Sequence, residues 1–331
     1  MRNLFVSVQD AAALIRSGRK MLVAGSHAAL AALPVGDWIG GSTPYFITPE
    51  GGVRDHDRVF CTVLEDAPEV RIDVLAEDEL GRLCDRRFAQ GFTYALVPAF
   101  SPVHQRFAIE VPDLPALYAQ PLVGWVAGVD LADIGRVSPC VVDGRTGQAH
   151  TNATVVMYVS LAGDRFAEAD IINLFTAGAG DDIAFDTTGF SAIDCRVNGV
   201  KTNFAAYLRR TGVDTVRPLV SNYAGAMVNV SFRAVGPDQV DFYAPVVAGR
   251  LYRLAAPVGD YAAAYGACCQ AEIGAAMLSF NCILNYLYAG LEGHRTGDFV
   301  GPVTFGEIAY ILLNQTLVRL DVTASGMLAA A

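Results

Sequence analysis

Glu307 is the residue in this sequence that most needs a chemical explanation. It stands between Gly306 and Ile308 in the run PVTFGEIAYI, with no Lys or Arg beside it. A carboxylate among apolar neighbours requires backbone N–H groups, a buried cation or a ligand ammonium to offset its desolvation. Taken as one strand, the run puts Val303, Phe305 and Glu307 on one face and Thr304, Gly306 and Ile308 on the other. Small and polar residues also punctuate other apolar segments: Gly40-Gly41-Ser42-Thr43, Ser279-Phe280-Asn281-Cys282 and Asn314-Gln315-Thr316. Buried polar groups of this kind must bond to one another or to a ligand. The Glu307 carboxylate, the Phe305 ring and the amides of Asn281, Asn314 and Gln315 together suit an ammonium-bearing ligand. Ser42 and Thr43 then close the site from the first half of the chain. The competing reading is a structural carboxylate bonded to nearby backbone or to Thr304. Cys282, at the end of a hydrophobic strand, is expected to be a buried thiol. An enzyme without a cofactor, with Glu307 as base and Cys282 as nucleophile, is the alternative. It needs the two groups within about 3 Å, or one bridging water, in an accessible cleft.

Other chemistries find little support. The five histidines show neither HxxxH nor HExxH spacing, and His56 in RDHDR reads as a solvated turn. The glycine-rich TAGAGDD places Asp181 and Asp182 where a phosphate loop carries Lys, and neither GxxxxGK[ST] nor GxGxxG occurs. There is no GxSxG elbow. No metal and no cofactor is therefore expected. Seven cysteines without a CxxC read as the buried thiols of a reduced, cytoplasmic chain with no disulfide.

The elements that must position these residues are short and apolar. Of the 331 residues 53% are hydrophobic and only 18% charged, which excludes disorder and favours buried sheets. A net charge of −10 argues against nucleic acid, whose affinity rests on Lys and Arg, and against anionic membranes. Apolar runs such as Met21–Pro34 are interrupted before the ~18–20 residues of a membrane span. Ser7 caps a helix that stops at Gly18, and MLVAG follows as a buried strand. DWIGGSTPYFIT reads as a strand broken by Gly40 and Gly41. A helix over EDELGRLCDRRFAQG then separates the strands VRIDVLA and TYALVPAF. VNGVKTNFAAYLRRTG is a turn and helix ending at Gly212, and VSFRAVGPDQVDFYAP is a hairpin. A helix from Asp260 to about Gly274 precedes the strand AAMLSFNCI, a helix from Ile283 to Glu292, and the strands PVTFGEIAYI and QTLVRLDV. The fold class is α+β: mixed, largely antiparallel sheets covered by helices, with two sheets packed face to face. Two halves, 1–164 and 165–331, are expected to share one topology.

The closing stretch SFNCI…GPVTFGEIAYILLNQTLVRLDV resembles the C-terminal signature of FIST domains, a bacterial sensory module. That family shows an FSC strand end, a GEI strand and an HNQT run into its last strand. VKTNFAAYLRR and FRAVGPDQVDFYAPVVAGRLYRLAAP are similar to the elements before it, and DWIGGST to the family's N-terminal segment. Two positions depart from the pattern: Asn285 replaces an arginine after the cysteine, and Leu313 replaces the histidine before Asn-Gln-Thr. The resemblance implies a FIST-N-like half and a FIST-C-like half. It further implies a cytoplasmic sensor for a small molecule, an amino acid or related metabolite, bound between the halves. With both halves filling the chain and no transmitter attached, such a sensor acts through a separate signalling partner or by self-association.

Overall fold

The computed structural model describes residues 1–65, 67–223, 225–271, 278–296 and 299–324. Its first strands and helices are β1 (Arg2–Ser7), α1 (Val8–Arg16), β2 (Met21–Gly25), α2 (His27–Ala31), β3 (Trp38–Ser42), β4 (Tyr45–Thr48), β5 (Gly51–Arg54) and β6 (Arg58–Val63). A second set comprises β7 (Val70–Leu75), β8 (Gly91–Pro98), α3 (Pro102–Glu110), β9 (Leu122–Ala127), β10 (Val141–Asp143), β11 (Gln148–His150) and β12 (Thr154–Ser160). β13 (Arg165–Asn173) opens the third. Nine short strands and two helices follow it: β14 (Ile183–Ala184), β15 (Gly189–Ala192), β16 (Asp194–Val197), β17 (Val200–Asn203), α4 (Phe204–Thr211), β18 (Leu219–Tyr223), β19 (Ala226–Val230), β20 (Phe232–Val235), β21 (Val240–Val246), β22 (Leu251–Leu254) and α5 (Tyr261–Ala271). The chain closes with β23 (Leu278–Cys282), α6 (Ile283–Tyr288), β24 (Gly301–Thr304), β25 (Glu307–Ala309), β26 (Ile311–Leu313) and β27 (Thr316–Ala324).

The sheets repeat one plan three times. Their orders are β1-β6-β2-β3-β10-β11, β7-β12-β8-β9-β25-β26 and β13-β27-β23-β24-β4-β5. In each, the fourth strand lies parallel to the third: β2 with β3, β8 with β9, β23 with β24. Each of these pairs is joined through a helix on the outside, as a parallel pair requires. Every other neighbour is antiparallel. Each unit then sends a two-stranded hairpin to another unit's sheet: β4–β5 to β24, β10–β11 to β3, β25–β26 to β9. The protein is thus α+β with mixed sheets, but its repeat is threefold rather than twofold. Residue 164 does fall between units, with two units before it and one after. The third unit carries an insertion, β14 to β22 with α4, which has its own aromatic core of Phe185, Phe204, Phe232, Phe242 and Tyr252.

Three sheets, not two, share the central core. It joins Leu22, Ala24 and Phe60 from the first, Tyr94, Trp125 and Met157 from the second, and Phe46, Phe280 and Val318 from the third. Alternate residues face helices instead: Met21 and Val23 meet α1 and α2, and Val156 and Tyr158 meet α3. Burial on both faces explains why these strands read as unbroken apolar runs. Helix ends follow their caps: Ser7 accepts from the Asp10 N–H, and Gly212 adopts φ +63° after α4.

Three local expectations need correction. Gly40 and Gly41 do not break β3; the chain pairs through both, and glycine is needed at 41 because the Trp125 indole occupies the space a Cβ there would take. The helix expected over 77–91 is a 3-10 turn, Glu77–Arg82, whose Leu80 is buried together with Leu83 before polar residues take over. PVTFGEIAYI is not one strand but two in different sheets, turning at Phe305-Gly306. The expected continuation of α5 to Gly274, and residues 275–277 of the strand after it, lie outside the described residues.

Candidate functional site

The parallel strands β3, β9 and β24 end where their hairpins depart, and the three corners meet. Gly128 N–H donates to Ser42 O (2.7 Å), Phe305 N–H to Val126 O (2.9 Å), and Thr43 Oγ1 to Val303 O (2.6 Å). Ser42 Oγ donates to Gly128 O at 2.7 Å and accepts from the Cys140 N–H at 2.9 Å. Its hydroxyl is therefore spent on holding two corners together. Gly128 is required here: a Cβ would lie 2.2 Å from the Phe305 ring. Phe305 itself packs edge-on to Phe100.

Beside this junction is a cavity of about 280 Å³, lined among others by Ser26, His27, Ser42, Thr43, His56 and Asp130. Asp130 organises its floor. Its carboxylate pairs with Arg54, lies 3.1 Å from His56 Nε2, and accepts from the Ala132 N–H (3.0 Å) and Tyr45 OH (3.4 Å). The side chain is only 3% exposed, whereas Arg54 and His56 are half exposed. Burial alone would raise the Asp130 carboxyl, but the Ala132 N–H, Arg54 and His56 outweigh it and hold it below the usual carboxylate range. Asp57 and Asp133 add carboxylates at the rim.

The second polar assembly is enclosed. Glu307 is fully buried. Thr316 Oγ1 lies 2.7 Å and the Thr316 N–H 3.4 Å from its Oε2, and Thr304 Oγ1 lies 3.2 Å from Oε1. Burial, with no cation beside it among the described residues, pushes its pKa up to about 8, against the pull of Thr316, Thr304 and Cys282, so it is protonated at neutral pH. Cys282 lies beside it, and burial, then Glu307, push the thiol well above its ordinary range. Asn285 joins the set by donating to Asn281 Oδ1 (2.9 Å) and Thr316 O (3.0 Å) and accepting from Tyr261 OH (2.6 Å). Asn314 Oδ1 accepts from Ser231 N–H and Oγ, and Gln315 accepts from the same hydroxyl. Gln315 sits at φ +52°, a backbone region that non-glycine residues rarely hold without surrounding support.

A model of a family of unknown function, DUF6976, matches residues 6–323. The chain belongs to that family. No curated protein and no solved structure matches it. Because the DUF6976 match begins in β1 and ends in β27, it takes in all three units and the insertion.

The candidate residues thus divide. Ser42 and Thr43 line the open cavity. Asn281, Cys282, Glu307, Asn314 and Gln315 belong to the buried network, and Phe305 lies at the corner between them. Glu307 and Phe305 do not share a face, because the turn at Gly306 sends Glu307 into another sheet opposite Trp125. The departures from the FIST pattern are structural positions: Asn285 is a buried bonding hub and Leu313 is core. Sequence reasoning missed Arg54, Tyr45 and Asp130. His56 and Asp130 are 74 residues apart, and only the exchange of strands between units brings them together. Among the described residues no cluster of His, Cys, Asp or Glu is arranged to hold a metal. Nor is any described helix long and apolar enough to cross a membrane.

Proposed function

We propose that this chain is a small-molecule-binding protein of a sensory, FIST-like kind, whose ligand, an amino acid or related zwitterion, sits in the cavity beside the Ser42–Thr43 corner. The observation that carries this reading is the Tyr45–Arg54–His56–Asp130 cluster. Its charges are already oriented and hydrogen-bonded, so a ligand meets a prepared polar wall rather than one it must order. The carboxylate of Asp57 suits an ammonium, and the imidazoles of His27 and His56 suit a carboxylate. The chemistry of the buried pair favours binding over catalysis. A protonated Glu307 is a poor base and a Cys282 thiol held well above its ordinary range a poor nucleophile. The bound state would be passed on through a separate partner protein or by self-association in the cytoplasm.

Calorimetric titration of a panel of L-amino acids, their decarboxylated amines and their deaminated acids tests this. Saturable binding is expected for at least one amino acid, weaker for its amine and acid, and lost in Asp130→Asn. Equal binding by Asp130→Asn, or no binding across the panel, defeats the reading.

A further inference from the structure

Another void lies elsewhere, in the insertion. A cavity of about 600 Å³ is bordered by Val220, Met227, Leu251, Arg250 and Arg253. A second, of about 210 Å³, lies between the insertion and the frame, walled by Ile109, Val228, Val230, Ala244, Ile311 and Leu312. Arg250 and Val247 line both.

The two arginines differ. Arg253 is neutralised by Asp182, at 2.7 Å from Nε to Oδ1. Arg250 makes no ion pair with any described residue. Its guanidinium carbon lies 3.5 Å over the Tyr223 ring, its Nη1 reaches only Asn222 O at 3.4 Å, and its Nε is buried with no hydrogen-bond partner. A stacked guanidinium is held in place, and an unbonded buried N–H leaves a donor to be satisfied. Guanidinium presents its donors in a fork that matches a carboxylate.

We propose that this pair of cavities binds an amphiphilic monocarboxylate, its head group on Arg250 and its apolar tail in the smaller cavity. One uncompensated positive charge matches one negative charge. The exposed carboxylate of Asp113 at the smaller cavity's wall disfavours a second anionic end. The tail's walls come from both α3 and β26 of the frame and β19 and β21 of the insertion, so occupancy ties the insertion to the three-unit frame.

The test is calorimetric titration of the full chain with sodium octanoate, octan-1-ol, octylammonium and acetate. Octanoate should bind saturably, with the alcohol, the amine and acetate each on the order of tenfold weaker or more. Arg250→Gln should weaken octanoate by a similar factor, and Arg250→Lys by less, while the thermal midpoint of both stays near that of the wild type. Octanol or octylammonium binding as well as octanoate overturns the head-group assignment, and acetate binding as well as octanoate overturns the tail assignment. Absence of saturable octanoate binding overturns the site. The wild-type series decides these points even if a variant folds poorly, and amino-acid binding at the Asp130 cavity has no bearing on any of them.

Discussion

Asp130 and Glu307 are both buried carboxyls at the corners where the three sheets exchange hairpins, and their surroundings drive them in opposite directions. Asp130 has Arg54 and His56 at hand, each half in water, and keeps its charge. Glu307 is ringed by hydroxyls, a thiol and a backbone amide, with no cation among the described residues, and keeps its proton. The difference lies in what each set of surroundings permits. A charge held at the edge of a cavity faces whatever enters it, whereas a neutral acid inside a sealed network accepts from the Thr304 and Thr316 hydroxyls and ties their strands to its own.

The sharpest way to break the comparison is the pH dependence of stability. The folded state holds the Glu307 proton up to about pH 8, while the unfolded chain releases it near 4.5. The folded state therefore binds more protons between these values, so this group makes stability fall as pH rises from about 4.5 to about 8 and level off above. One proton held by the folded chain and released by the unfolded one costs about 1.4 kcal/mol for every pH unit climbed in that window, the largest effect expected here. Glu307→Gln should remove that slope and raise the thermal midpoint at pH 8 relative to wild type, measured by calorimetry across the range. A variant that is less stable than wild type at pH 8 would mean that the ionised carboxylate is the form the fold needs.

Asp130 should show the opposite sign. Its folded pKa is depressed, so its contribution is present above the ordinary aspartate range and lost as pH falls below about 4. Asp130→Asn should cost about 1.5–3 kcal/mol at neutral pH, as expected for hydrogen bonds to a charged group. Urea titration at pH 7 and pH 3 checks this, with the two proteins converging at the lower pH. A constant gap between them would remove charge from the explanation.

A smaller effect separates the thiols. Cys282 is buried and its pKa is raised well above its ordinary range, while Cys84 and Cys268 are partly exposed. Brief iodoacetamide treatment of the native protein at pH 8, read by peptide mass, should label Cys84 or Cys268 before Cys282, with Cys282 reacting only after denaturation. Early labelling at Cys282 would mean that the network opens to solvent.

What the sequence could and could not disclose follows from the range of the contacts. Strand positions such as MLVAG and TYALVPAF were legible because both of their faces are buried. Capped helices were legible because Ser7 and Gly212 act within a turn of themselves. Glu307 was conspicuous because a lone carboxylate in an apolar run has few local explanations. Its partner Thr316 is nine residues away, across the β25–β26 hairpin, and the turn at Gly306 that misdirected its face looks like any strand glycine. The threefold plan was hidden because the third unit carries about a hundred inserted residues between β13 and β23, which stretch its spacing far beyond that of the other two. Asp130 and Arg54 carry no local signature. They became neighbours only through the packing of one unit's corner against the next.

His56 offers the smallest change in stability and the clearest separation of the two regions. Its imidazole is half exposed, so its pairing with Asp130 should contribute under about 1 kcal/mol. The turn that carries it does not depend on the ring: Asp55 Oδ1 accepts from the Asp57 and Arg58 N–H groups at 2.8 Å, and Ser26 Oγ donates to the His56 carbonyl, not to its side chain. His56→Ala should therefore leave the backbone in place and the thermal midpoint nearly unchanged, while weakening binding of the amino acid proposed for the cavity. Thr316→Val in the sealed network should do the reverse. It removes a 2.7 Å partner from Glu307, so stability falls by about 1–3 kcal/mol while ligand affinity stays at the wild-type value. Measuring both quantities for both variants crosses the two regions. If His56→Ala loses stability and Thr316→Val loses binding, the assignment of binding to the cavity and support to the network is inverted.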